Sequence, residues 1–224
     1  MQRSWQRFTY RMPKLIAPSS TTRFLETIAI RGGEVEHLPY HQARILASAG
    51  FQWKGPASLL ESLPLLDSNL TYKLRFIYSA NEGIMEWSVT PYTVKPVESI
   101  RLVEVPSTFD YHLKYADRSA LEALSDGLPQ GELPLFVQSG MLTDTSYTNI
   151  CLRRKGEWWV TPNTPLLPGT MRAHLLDTGQ VREVPIPVAE LYQYDEIALV
   201  NAMLPLGTQV LDVHSAIRMG KKSY

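Results

Sequence analysis

Residues 24–30 (FLETIAI) form an unbroken apolar and β-branched run, Gly32-Gly33 follows, and apolar character resumes over 35–38. Two such runs around a glycine pair predict a β-hairpin. Over residues 39–49 the spacing changes. Tyr40, Ala43, Ile45, Leu46 and Ala49 mark one face of a helix, and Gly50 stops it. A second short helix is expected near 56–63. Strands are expected over 72–78, 85–90 and 100–105, punctuated by Pro91, Pro96 and Pro106.

After Pro106 the pattern predicts an extended stretch over 111–115 and a helix over 118–124. Strands are expected over 135–137, 149–152 and 158–161, and a helix over 170–176 opening just after Pro168-Gly169. Strands over 181–186, 197–200 and 209–213 follow, with a helix over 188–192 between the first two. No repeat or low-complexity tract interrupts the chain. The reading is α+β, with a smaller N-terminal domain over 1–105 and a C-terminal domain over 106–224, joined near 105–110.

Composition removes several classes. The chain has 224 residues, 44% hydrophobic and 20% charged, which excludes disordered, collagen-like and coiled-coil proteins. Lys and Arg total 22 and so do Asp and Glu, so no basic excess points to nucleic acid. No apolar run reaches the roughly 18 residues of a membrane span. The single cysteine, Cys151, cannot close an internal disulfide or build a Cys-based metal site, which fits a cytoplasmic location. Arg3, Arg7, Arg11, Lys14 and Arg23 all precede the first acid, Glu26. This start reads as a lead-in segment or first strand with its basic residues in solvent, the alternative being a cleaved targeting segment.

No phosphate-loop GxxxxGK[ST] and no GxGxxG occurs, and the five histidines show no metal-binding spacing. Four stretches carry chemistry-bearing residues instead. They are His37-Leu-Pro-Tyr-His41-Gln-Ala-Arg44, then His112-Leu-Lys114-Tyr-Ala-Asp-Arg118, then Gly140-Met-Leu-Thr-Asp144-Thr-Ser-Tyr-Thr-Asn149, and last Thr161-Pro162 with Leu167-Pro168-Gly169-Thr170-Met171-Arg172.

In this order the four stretches resemble the fold type IV pyridoxal 5'-phosphate (PLP) enzymes, the class IV aminotransferase family. That family includes branched-chain aminotransferases, D-amino acid aminotransferases and 4-amino-4-deoxychorismate lyases. The resemblance covers most of the chain from Phe24 to Val213. It implies the family's two-domain α+β fold with a shortened N-terminal domain, PLP as cofactor, a small-molecule amino-group substrate and a homodimer. Neither nucleic acid nor membrane is an expected partner.

PLP is an aldehyde that needs one lysine amine. The resemblance implies Lys114 as the catalytic and cofactor-holding lysine, against a solvated surface lysine. It implies Asp144 as the acid facing the pyridine nitrogen, five positions before Asn149, where the family usually has glutamate. The alternative is an aspartate in a turn after Gly140. Leu167, Gly169, Thr170 and Met171 would border the cofactor, with free backbone N–H groups at the helix start for its phosphate. Met171 stands where the family usually has threonine. Arg44 would add a charge-assisted phosphate contact, against a surface ion pair. Asn201 and Ala202 would border the cofactor from the last loop.

The arginine four positions after Lys114 and the stretch Asn201-Ala202-Met203-Leu204-Pro205 look more like the lyases than the branched-chain enzymes. Glu26-Thr27 matches a pair that both classes share. The implied reaction converts 4-amino-4-deoxychorismate to 4-aminobenzoate and pyruvate. The alternative is a class IV aminotransferase acting on branched-chain or D-amino acids. A PLP-binding protein without catalysis and a cofactor-free binding or interaction domain stay open, because fold resemblance does not guarantee function.

Overall fold

A computed structural model of the protein describes residues 19–56 and 66–218. The basic segment up to Lys14 lies outside them, as does nearly all of the helix expected near 56–63.

The first sheet is built from β1 (Phe24–Arg31), β2 (Glu34–Val35), β3 (Thr71–Ser79) and β4 (Gly83–Pro91), in the antiparallel order β2-β1-β3-β4. Helix α1 (Leu38–Ala49) packs on it through Ile45 and Ala49, against Phe24, Ile28, Ile30, Leu74 and Phe76. Flanked on both edges, β1 is buried almost throughout, so its sequence reads as a continuous apolar run. The return strand of the hairpin is shorter than expected, and Leu38 already belongs to α1. His37 adopts a left-handed φ of 52° that turns the chain, and Pro39 favours the first helical turn. Gly50, at φ 73°, ends α1 by donating its N–H to the Leu46 carbonyl.

A second sheet has the order β13-β5-β6-β7, from β5 (Ser99–Val105), β6 (Glu132–Gln138), β7 (Met141–Thr145) and β13 (Ile217–Arg218). The partners of β5, β6 and β13, lie on the C-terminal side of the expected 105–110 junction. The third sheet, β10-β9-β8-β11-β12, contains β8 (Asn149–Arg153), β9 (Trp159–Pro162), β10 (Val181–Val184), β11 (Glu196–Val200) and β12 (Val210–Asp212). Ile100, Leu135 and Leu142 of the second sheet share one apolar core with Ile150, Ile197 and Leu199 of the third. Helices α2 (Ser119–Ala123), α3 (Thr170–Asp177) and α4 (Val213–Ala216) and a 3-10 stretch (Val188–Gln193) complete the described α+β fold.

Three local expectations change. Strand β7 is not anticipated by the pattern. Ser139 and Gly140, at φ 53° and 76°, form a two-residue turn from β6, so Asp144 sits on a strand rather than in that turn. Residues 111–115 form no regular strand. They lie against the start of β1, where the Leu25 N–H donates to the Lys114 carbonyl (2.8 Å) and the Ala116 N–H to the Arg23 carbonyl (2.9 Å). The chain after Asp212 turns into α4 and β13 instead of extending a strand. Among the described residues, no helix is long and apolar enough to cross a membrane.

Candidate active site

A pocket enclosing about 550 Å³, part of it open to solvent, lies where α1, residues 111–118, the β7–β8 turn, the start of α3 and the end of β11 converge. Arg44, Lys114, Asp144, Asn149, Leu167, Gly169, Thr170, Asn201 and Ala202 all line it. Met171 does not. Its side chain is buried with Cys151, Leu175 and Val181, which leaves its backbone as its one means of serving the pocket.

One side of the pocket rests on a buried ion pair. His41 and Arg44 lie three residues apart, on one face of α1, and both reach Glu26 of β1. Arg44 Nε donates to Glu26 Oε2 at 3.1 Å, Nη2 pairs with Oε1, and His41 Nδ1 lies 2.9 Å from Oε1. All three side chains are buried. Burial by itself would raise the Glu26 pKa, but Arg44 and His41 hold it well below the usual carboxylate range. Burial pushes His41 down, against the pull of Glu26. Arg44 is therefore a buried, paired arginine rather than a surface one.

Lys114 sits where the chain crosses the start of β1. Burial, reinforced by the Arg44 and Arg118 charges and opposed by Glu26, pushes its ammonium down to about 7. Its amine has no hydrogen-bond partner among the described residues.

The opposite ends of β7 and β8 supply Asp144 and Asn149. Asp144 Oδ1 accepts from Asn149 Nδ2 (2.9 Å), and Oδ2 accepts from the Leu167 N–H (2.7 Å). Burial outweighs these contacts and the more distant Arg172 charge, so Asp144 is pushed up to about 7. Asn149 also donates to the Leu167 carbonyl (2.9 Å) and accepts from the Gly169 N–H (3.2 Å). Gly169 has an ordinary φ of −72°, but a Cβ there would lie 2.1 Å from Asn149 Oδ1. Close approach, not backbone freedom, requires glycine. Thr170 then opens α3, whose first N–H groups lack helical partners.

The sequence reading assigned no role to other lining residues. Tyr111, Leu121 and Leu166 give the wall an apolar part, and Arg118 a charged one. Residues 145–148 form a hydroxyl-lined turn, in which Thr145 Oγ1 accepts from the Thr148 N–H at 2.9 Å. The hydroxyl-rich run Thr-Ser-Tyr-Thr just before β8 was its sequence signal. Asn201 locks this turn to the last loop, donating to the Tyr147 carbonyl (3.1 Å) and accepting from the Met203 N–H (2.8 Å).

A family model described as amino-transferase class IV matches residues 105–213. An uncharacterized protein of Haemophilus influenzae is 30% identical over 185 residues, 80% of this chain and 96% of that one. The chain belongs to the class IV aminotransferase family. It is an enzyme of that family, a lyase or an aminotransferase. A crystal structure from Haemophilus somnus 129PT, provisionally named as a 4-amino-4-deoxychorismate lyase, superposes with a TM-score of 0.69 at 27% identity, over 83% of this chain and 98% of its own. A PLP-bound structure of a hypothetical aminotransferase from Mycobacterium tuberculosis shares the fold, with a TM-score of 0.65 at 18% identity, over 90% of this chain and 84% of its own.

Proposed function

We propose that this class IV family member binds PLP and converts 4-amino-4-deoxychorismate to 4-aminobenzoate and pyruvate. The observation that carries the reading is the convergence of the unpartnered Lys114 amine, the buried Asp144 carboxyl and the start of α3 in one pocket. These groups fit PLP. An aldehyde needs an amine, a ring nitrogen needs an acid, and a phosphate needs the N–H groups and positive end of a helix.

Bound PLP would supply an aldehyde for the substrate amine and an electron-poor ring to spread charge from the neighbouring carbon. Lys114 Nζ, titrating near 7, has a large uncharged fraction at neutral pH. It would hold the cofactor through its aldehyde carbon and, when freed by the substrate amine, would carry a proton to and from substrate carbon. Asp144, oriented by Asn149 and the Leu167 N–H, would share a proton with the ring nitrogen. Thr170, the Gly169 and Met171 backbone and Arg44 would bind the phosphate. Tyr111, Leu121 and Leu166 would exclude water.

The lyase reaction is favoured over transamination by two features. Arg118 and the loop beginning Asn201-Ala202, the lyase-like parts of the sequence, both border the pocket. The H. somnus structure, matched over 98% of its own length and 83% of this chain, is provisionally named as a lyase. The test incubates PLP-loaded enzyme with 4-amino-4-deoxychorismate alone, and the expected products are equal amounts of pyruvate and 4-aminobenzoate. No pyruvate, with amino-group transfer from an amino acid to a keto acid, would replace the lyase with an aminotransferase. A homodimer is part of the proposal and is read by analytical ultracentrifugation.

A further inference from the structure

We infer that Arg31, which is not a lining residue of the pocket, is a positioning residue that fastens the Asn201-Ala202 wall of the pocket to the first sheet. It rests on the PLP-enzyme reading for what that wall serves. Arg31 is the last residue of β1 and is paired on both edges, with Glu34 of β2 and Thr71 of β3, so its backbone is a fixed base. Its partly buried side chain forks. Nη1 pairs with Glu36, and Nη2 donates to the Met203 carbonyl at 2.7 Å. Among the described residues no backbone N–H donates to that carbonyl, so Arg31 supplies its hydrogen bond.

Met203 belongs to the connection 201–209 between β11 and β12, which begins as a tight turn. Asn201 and Leu204 exchange backbone hydrogen bonds of 3.1 and 3.0 Å. Asn201 Oδ1 accepts from the Met203 N–H (2.8 Å) and the Leu204 N–H (3.0 Å), and Nδ2 donates to the Tyr147 carbonyl (3.1 Å). A continuous chain of hydrogen bonds therefore runs from Glu36 through Arg31, Met203 and Asn201 to Tyr147. Its far end is pocket wall, since Asn201, Ala202 and Tyr147 all line the cavity. Its near end is the sheet that packs α1, with Arg44, and that holds the Lys114 carbonyl through the Leu25 N–H. Arg31 thus sets one wall of the pocket against the frame that carries Arg44 and Lys114. The Arg31 bond is charge-assisted, while the bonds after it join neutral groups, so it is the strong link.

The experiment compares wild type with Arg31→Met, which keeps the aliphatic packing, and Arg31→Lys, which keeps a cation for one of the two partners. Amide hydrogen exchange is measured on the cofactor-free proteins. The Met203 and Leu204 amides should exchange roughly 10- to 100-fold faster in Arg31→Met, the loss of one charge-assisted hydrogen bond. The amides of β6 should shift only as far as global stability in urea does. In the loaded enzyme, Arg31→Met should release PLP roughly 2- to 30-fold faster, read from the cofactor absorption band, and should alter the circular dichroism of that band. Arg31→Lys should fall between Arg31→Met and wild type in both measurements. Loop amides that keep their wild-type rates in Arg31→Met, or that move only in step with β6, overturn the inference. So does a freed loop with unchanged PLP release, which would make Arg31 a tie between sheets with no hold on the cofactor. Wild type that binds no PLP would sink the cofactor reading alone, and the exchange comparison would still decide whether Arg31 holds the wall.

Discussion

Replacing Gly169 by alanine tests how the pocket is held together. The added Cβ would lie 2.1 Å from Asn149 Oδ1 and 3.3 Å from Cγ, so Asn149 must move. Its amide is pinned by three hydrogen bonds, to Asp144, to the Leu167 carbonyl and from the Gly169 N–H. A shift of about 1 Å disrupts all three. Neutral bonds contribute about 1 kcal/mol each and a bond to a carboxylate somewhat more, so the expected loss is about 3 kcal/mol. In a chain of this length, that lowers Tm by about 6–12 °C. Urea unfolding of the cofactor-free protein should be run on wild type, Gly169→Ala, Asn149→Ala and the double variant. The damage done by Gly169→Ala passes through Asn149, so the double variant should be no less stable than Asn149→Ala alone. Additive losses would refute this account, as would a Gly169→Ala protein within about 0.5 kcal/mol of wild type.

Three further outcomes are expected. With the Lys114 ammonium pushed down to about 7, its modification by an amine-selective reagent should rise through a midpoint near pH 7, and a midpoint near 10, typical of an exposed lysine, would contradict it. Asp144 is raised to about 7, above its unfolded value near 4, so the native state binds the extra proton. The stability of the cofactor-free protein should therefore contain a component that falls as pH rises from about 4 to about 7 and is constant above. Asp144→Asn should remove that component, and an unchanged pH dependence would refute the buried acid. Glu26→Gln leaves the buried Arg44 without its counter-charge and should cost about 3 kcal/mol in urea unfolding at pH 7. Because the folded pKa of Glu26 is depressed, its stabilisation is fully present above about pH 4.3 and is lost as pH falls further. A variant less sensitive to acid than wild type, with that loss at pH 7, is the expected result, and equal stability at pH 7 would refute the pairing.

Much of the fold is legible along the chain where local chemistry decides it. The buried run of β1, the extent of α1 with its Gly50 stop, and the helix opening after Gly169 need only short-range spacing and backbone preference. The inner face of α1 was read only in part: Ile45 and Ala49 are buried, but Leu46 is exposed, and His41, Arg44 and Ser48 take the inner positions because the buried Glu26 draws the first two inward. Strand β7 was not legible, because Met141–Thr145 carries two threonines and an aspartate and shows no apolar alternation. It is buried on both faces by partners distant in sequence. Met171 likewise sits in a cofactor-like motif, yet its side chain is drawn into the core with Cys151 and Leu175.

The order of chemical groups, Arg44, Lys114, Asp144, Asn149, Gly169 and Asn201, is a property of the sequence alone, and it points to the family. Which groups touch is not. Only the tertiary structure joins Glu26 to His41 and Arg44, closes a pocket over Lys114, and packs Gly169 too near Asn149 for any side chain. The physical reason is that backbone preference acts over a few residues. Desolvation, ion pairing and close packing depend instead on every atom that the fold brings near, however far away it lies in the chain.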